Sequence, residues 1–96
     1  MSPAPHTWNY VYLIRSKTKG SIYIGCSSDL KKRLKEHEEG RNYTTRKMLP
    51  IELIYFEAYK SKKDAFERER RLKRYGSGIR KLKLRLSGTF GIGGAG

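Results

Sequence analysis

Arg33 and His37 stand four residues apart in the lysine-rich run from Leu30 to Glu39. On a helix of 3.6 residues per turn, Leu30 and Leu34 set the apolar direction, and Arg33 and His37 fall within ~60–80° of it, one turn from each other. Lys31, Lys32, Lys35, Glu36 and Glu39 point elsewhere. An arginine can cover a core edge with its aliphatic stem, so this helix alone leaves a structural reading open. Glu69 repeats the anomaly. Ala65, Phe66 and Leu72 define the inner side of the later helix, and Glu69 lies about 15° from its centre, whereas Glu67 points away. A carboxylate there is costly unless it is paired or binds a metal, and Arg33 is a candidate partner for a buried ion pair. Tyr12 shares a strand face with Tyr10 and Ile14, and Tyr23 shares one with Ser21 and Gly25. If Tyr12 pairs opposite Tyr23, two phenols meet, either to pack or to act. Gly25 then leaves backbone open to a close ligand. Phenols, an arginine, a histidine and one carboxylate together are the equipment for cleaving a phosphodiester. A water must lose a proton, phosphate charge must be stabilised, and a leaving oxygen needs an acid or a metal.

These side chains need a scaffold that the pattern supplies. "NYVYLIRS" predicts a strand over Tyr10–Arg15 and "SIYIG" a second over Ser21–Gly25, joined by "KTKG" as an antiparallel hairpin. Ser27 or Ser28 can cap a helix that ends at Gly40. "RNYTTRKMLP" reads as a loop. "IELIYFEAY" reads as a third strand, with Ile51, Leu53 and Tyr55 alternating against Glu52, Ile54 and Phe56. Ser61 to Asp64 resembles a capping box for a second helix running to Arg74. "GSG" breaks it, and a short basic helix follows over Ile79–Leu86. The expected fold is α+β: a small, at least partly antiparallel three-stranded sheet flanked by helices, in the order β-β-α-β-α-α. Residues 1–7 form an N-terminal extension, 8–86 the domain, and 87–96, with five glycines in the last nine positions, a flexible tail.

The chain has 96 residues, with 22 Lys and Arg against 9 Asp and Glu, a formal charge of +13. No acidic residue follows Glu69, while Arg70, Arg71, Lys73, Arg74, Arg80, Lys81, Lys83 and Arg85 do. Such a surface favours polyanions, because neutralising phosphates releases counterions. Lys32, Arg70, Lys73, Arg74, Arg80 and Lys81 are the expected nucleic-acid contacts, with Tyr43 and Arg46 placed to stack on or steer an unpaired base. Cys26 is the single cysteine, so no internal disulfide forms, and a reducing cytoplasm is the expected compartment. No run is apolar enough to span a bilayer, and a membrane partner is not expected.

"YVY" at Tyr10–Tyr12, "YIG" at Tyr23–Gly25 and "DLKKRLKEH" at Asp29–His37 resemble the motifs of the GIY-YIG nuclease domain, above all those of small stand-alone bacterial members. "YTTRKMLPIELIYFEAYKSKKDAFERERRLK" is similar to the same group, so the resemblance covers about residues 8–86. It implies an endonuclease in which Tyr12 and Tyr23 are the motif tyrosines, Arg33 the helix arginine and Glu69 the ligand of a single Mg²⁺ or Mn²⁺. His37 matches a residue that helps position the first tyrosine. The implied partner is nucleic acid, DNA ahead of RNA, with no small-molecule cofactor. Two departures stand out. Tyr10 replaces the glycine that names the first motif. The asparagine some members carry after the glutamate is missing, since Asn9 and Asn42 both precede Glu69; either that role is absent or a basic group such as Arg74 or Arg80 takes it. A tyrosine near its ordinary pKa of about 10 also needs neighbouring cations to act as a base. The competing readings are a basic binding module that kept the fold without cleaving, and an adaptor for a larger repair assembly.

Overall fold

A computed structural model describes residues 7–74 and 76–91. Three antiparallel strands, β1 (Asn9–Ser16), β2 (Ile22–Ser27) and β3 (Ile51–Tyr59), form one sheet in the order β2-β1-β3. Between β2 and β3 run α1 (Leu30–Glu38) and the single turn α2 (Tyr43–Arg46). After β3 come α3 (Lys62–Arg74), α4 (Gly76–Arg85) and the single turn α5 (Ser87–Phe90). The fold is α+β, as the sequence pattern predicts.

β1 is the central strand, and its alternation builds two cores. Val11 and Leu13 face Ala65, Leu72, Leu82 and Phe90 beneath α3, α4 and α5. Tyr12 and Ile14 face Met48 and Ile51, with Leu30, Leu34 and Tyr23 packed around them beneath α1 and α2. All four β1 residues from Val11 to Ile14 are therefore buried.

The β1–β2 register differs from the expected one. Tyr12 lies opposite Gly25, and Ile14 opposite Tyr23. The cause is the turn: Ser16 donates its N–H to Ser21 O at 2.9 Å, closing a loop through Lys17–Gly20 in which Gly20 takes φ +75°. The two phenols thus meet as diagonal neighbours, with ring centroids 6.5 Å apart. The strict alternation expected of β3 also breaks. Leu13 pairs with Tyr55 and Ile14 with Leu53, leaving Ile54 as a bulge. Ile51 and Leu53 consequently join the core under α1, while Ile54 and Tyr55 join the core under α3.

The helix ends account for the other differences. Asp29, not Ser27 or Ser28, caps α1 by accepting from Lys32 N–H at 3.1 Å, while Ser27 Oγ accepts from Asp29 N–H at 3.0 Å. α1 stops where Gly40 adopts φ +76°. Within the expected loop, Asn42 caps α2 by accepting from Thr45 N–H at 3.0 Å. The "GSG" break instead opens α4, whose first residue is Gly76. Where a flexible tail is expected from Ser87, α5 forms and Phe90 is buried, its carbonyl accepting from Arg15 Nη1 at 2.7 Å. Residues 1–6 of the expected N-terminal extension and 92–96 of the tail lie outside the described residues. Among the described residues, no helix is long and apolar enough to cross a membrane.

Candidate active site

The central feature is a buried hydrogen-bonded chain. Tyr12 Oη lies 2.8 Å from His37 Nε2, and His37 Nδ1 lies 2.7 Å from Thr45 Oγ1. Tyr12 is 1% exposed, and His37 and Thr45 are fully enclosed. Each residue comes from a different element: β1 supplies the phenol, the last turn of α1 the imidazole, and α2 the hydroxyl. Tyr23 from β2 packs edge-on to His37, with ring centroids 5.3 Å apart. Gly25 is what admits the Tyr12 ring, because a Cβ there would fall within the phenol. The backbone at Gly25 is therefore open to Tyr12, not to a ligand as the sequence had implied.

Burial sets the protonation of this chain. Desolvation pushes the Tyr12 phenol well above its ordinary value; Tyr23, Glu69 and Cys26 add to the rise, and Arg33 opposes it. Arg33 acts in the expected direction but burial outweighs it, so the cation does not make Tyr12 the base the sequence reading called for. Desolvation, aided by Arg33 and opposed by Glu36, pushes His37 below its ordinary value. At neutral pH the phenol keeps its proton and the imidazole is uncharged. A neutral imidazole carries one N–H. Either Tyr12 donates to Nε2 while Nδ1–H donates to Thr45, or Thr45 donates to Nδ1 while Nε2–H donates to Tyr12.

A stability prediction follows from the depressed His37. The unfolded chain binds a proton near pH 6.5 that folded His37 refuses. Its contribution is fully present above that pH and is lost as pH falls below it toward the folded value. The melting temperature should therefore fall between about pH 7.5 and pH 5.5, and His37→Gln should flatten that slope. Equal slopes in the two proteins would exclude an uncharged buried His37.

The charged candidates lie at the rim. Arg33 is exposed, not turned inward with His37, and its Nε lies 3.3 Å from Glu36 Oε1. It lines a recess of about 180 Å³ with Asn9, Cys26, Ser28, Lys62 and Phe66. Phe66, expected on the inner face of α3, is half exposed there. Glu69 is partly buried and pairs with Lys73, with Oε2 3.3 Å from Nζ. The buried Arg33–Glu69 pair is not formed; each has its own partner on its own helix. Arg33 and Glu69 nevertheless both bear on the Tyr12 phenol, with opposite sign.

A strand carboxylate is more enclosed than Glu69. Glu57 on β3 has a side chain 15% exposed against 20% for Glu69. Arg68 grips Glu57 with two bonds, Nε to Oε1 at 2.9 Å and Nη2 to Oε2 at 3.0 Å. Tyr55 donates to it at 2.7 Å, and Tyr59 donates as well. Burial raises the Glu57 carboxyl, but the bonds from Arg68, Tyr59 and Tyr55 outweigh it and hold the group below its ordinary value. Its oxygens are already engaged by these four bonds. Glu69 has one ion pair and retains capacity for a ligand.

Among the described residues, no three His, Cys, Asp or Glu side chains converge on a metal-sized site. The donor set around Glu69 is one carboxylate, which suits a hard cation that keeps waters and substrate oxygens, and does not suit a protein-caged zinc. Arg70 and Lys73 line a recess with Glu69 and Phe66. Lys32 borders a separate recess with Asp29, Lys35 and Glu38. Arg74, Arg80 and Lys81 are exposed at the end of α3 and on α4. Tyr43 is exposed on α2 beneath Lys47 Nζ, 4.4 Å from its ring centre, and Arg46, 5.4 Å away. Asn9 and Asn42 each border Arg33, in different recesses.

Sequence reasoning missed Thr45 because it read residues 41–50 as a loop. The available signal was Asn42 three positions before Thr45, a cap spacing that starts a helical turn.

A family model described as the GIY-YIG catalytic domain matches residues 8–83. The chain belongs to the GIY-YIG family. Curated relatives are small bacterial proteins of similar length. A UPF0213 protein of Clostridium perfringens is 38% identical over 85 residues, covering 88% of this chain and 87% of its own. One from Staphylococcus saprophyticus is 35% identical, covering 79% and 92%, and one from Staphylococcus aureus 34%, covering 81% and 92%. No solved structure matches. The hydrogen-bonded chain from Tyr12 to Thr45, and Tyr23 beside it, lie wholly inside the matched residues.

Proposed function

We propose that this GIY-YIG domain is a metal-dependent endonuclease that hydrolyses phosphodiester bonds in DNA of single-stranded or branched character, in the cytoplasm. The observation that carries the reading is the Tyr12–His37–Thr45 chain, a buried proton path flanked by Tyr23, Arg33 and Glu69. An attacking water gives its proton to Tyr12 Oη as Tyr12 passes its own to His37 Nε2. No free tyrosinate is needed, which accords with a phenol whose pKa is raised. A neutral imidazole is competent to accept that proton. Thr45 acts as a positioning residue: by accepting from Nδ1–H it leaves the Nε2 lone pair aimed at Tyr12. Tyr23 orients the water, and Arg33 stabilises the phosphate charge from the rim. Glu69 would hold a single Mg²⁺ or Mn²⁺, which when bound supplies charge stabilisation for the departing oxygen.

One observation favours a second reading. Tyr12 is enclosed and protonated, as a core tyrosine would be, so the domain could grip nucleic acid through its charge without cutting it. A panel of labelled single-stranded, duplex and branched DNA, and RNA, incubated with and without Mg²⁺, separates the two. Mg²⁺-dependent cutting of the single-stranded or branched DNA is expected. Binding without cutting of any substrate, with Mn²⁺ also tried, would establish the second reading.

Both readings make binding electrostatic. Raising salt from about 50 to about 200 mM should weaken affinity at least about tenfold, since several phosphates are neutralised. An affinity independent of salt would contradict the role given to the basic residues.

A further inference from the structure

A trench of about 430 Å³ runs between α1 and β3, on the face of the sheet that carries Tyr12. Its floor and one wall are aromatic. Phe56 is 50% exposed, and Tyr10 stands nearly perpendicular to it, with ring centroids 5.9 Å apart and planes at 68°. Leu30 and Leu34 of α1 form the far side, and Lys31 and Ser28 border it. Phe56 is the residue directly across from Tyr12 on β3.

We propose that this trench is a stacking site for an unpaired base of single-stranded DNA, with Phe56 as floor and Tyr10 as wall. The inference rests on the reading of the chain as a nucleic-acid-cleaving domain and names a site that holds the strand beside the scissile phosphate. Three observations select this occupant. An exposed aromatic face accepts any base by stacking, without reading its edge. The chain carries +13, and Lys31 borders the trench, so a polyanionic strand is attracted where a second copy of the chain would be repelled. Asp29 also borders the trench, but its carboxylate caps the N-terminus of α1 through Lys32 N–H. Third, the trench shares Ser28 with the recess that holds Arg33 and Lys62, and Asn9 and Tyr10 line the two in succession. A strand that places a phosphate by Arg33 passes around the start of α1 and delivers a neighbouring base to Phe56. The apolar lining favours deoxyribose over a ribose whose 2′-hydroxyl would lose its water there.

The test measures binding, not cleavage, with the full chain in EDTA. One probe is a strand of about twelve thymidines, and the other is an abasic strand of the same length with the same phosphates. The wild type should bind the thymidine strand at least about tenfold more tightly. Phe56→Ala should lose about five- to hundredfold on that strand and nothing on the abasic one, with an unchanged salt slope. Phe56→Leu keeps apolar bulk without a ring and should lose nearly as much, as should Tyr10→Ala in smaller measure; these two carry the test if Phe56→Ala does not fold. Equal losses on both strands, or none, would overturn the site. So would a change in oligomeric mass as the sole effect, which would assign the trench to a second copy of the chain. Because EDTA removes cleavage from the readout, a protein that never cuts DNA can still pass, and a nuclease can fail.

Discussion

Glu69→Gln should lower Mg²⁺-dependent cleavage at least about a hundredfold, on the order of 3 kcal/mol of transition-state stabilisation, while leaving the melting temperature almost unchanged. The stability half of this expectation comes from the ion pairing. Glu69 is bonded to Lys73, an exposed partner one turn along the same helix, and such pairs contribute only about 0.3–0.5 kcal/mol. Had Glu69 neutralised a buried Arg33, the same change would have stranded that arginine, but Arg33 is exposed and pairs with Glu36. Glu57→Gln is the contrasting case. It weakens a carboxylate that satisfies Arg68, Tyr55 and Tyr59 at once, and should destabilise the fold by on the order of 3 kcal/mol. Thermal melts and cleavage on both proteins check the pair. A Glu69→Gln protein that melts early, or cuts as wild type does, removes Glu69 from the mechanism.

Tyr12→Phe should also slow cleavage by about a hundredfold or more, the usual size of a lost proton-transfer group. Unlike Glu69→Gln it should cost stability, about 1–3 kcal/mol, because His37 Nε2 loses its partner in a closed environment. Stability loss alone could mimic lost activity, so Thr45 provides the control. Thr45→Val keeps the shape of α2's inner face and removes the hydroxyl from His37 Nδ1. If Thr45 fixes the tautomer, Thr45→Val should lower the rate and shift its acid limb, and Thr45→Ser should restore both. A Thr45→Val protein that melts earlier but keeps the wild-type pH–rate profile would reduce Thr45 to packing.

Much of the fold is legible in the sequence. The three strands and the helices α1 and α3 follow from alternation and helical spacing, and the inward placement of His37 follows from its distance to Leu34. What the pattern could not give were features decided by local geometry. Hairpin register depends on how the turn at Lys17–Gly20 closes, and that closure sets Tyr23 opposite Ile14 and not opposite Tyr12. The bulge at Ile54 has no signature in sequence, because Ile54 and its following neighbours Tyr55 and Phe56 all favour strands. Arg33 and His37 share a helix side, yet His37 is buried against Tyr12 of the central strand while Arg33 is exposed beside Glu36. Glu57 was overlooked because its partners, Arg68 and two tyrosines, are close in space and carry no spacing rule in sequence. Family resemblance points to Tyr12, Tyr23, Arg33 and Glu69 as candidates, but not to Thr45, whose bond to His37 depends on a single turn in a segment read as loop.

Cleavage of a labelled single-stranded DNA by the wild type, measured with Mg²⁺ beside Tyr12→Phe and Glu69→Gln proteins at equal folded concentration, tests the nuclease reading most directly. That reading predicts products from the wild type only with the metal present, and rates at least about a hundredfold lower from both variants, with all three proteins binding the strand comparably in EDTA. Binding by all three with no Mg²⁺-dependent product from the wild type, or equal product from wild type and variants, would contradict it.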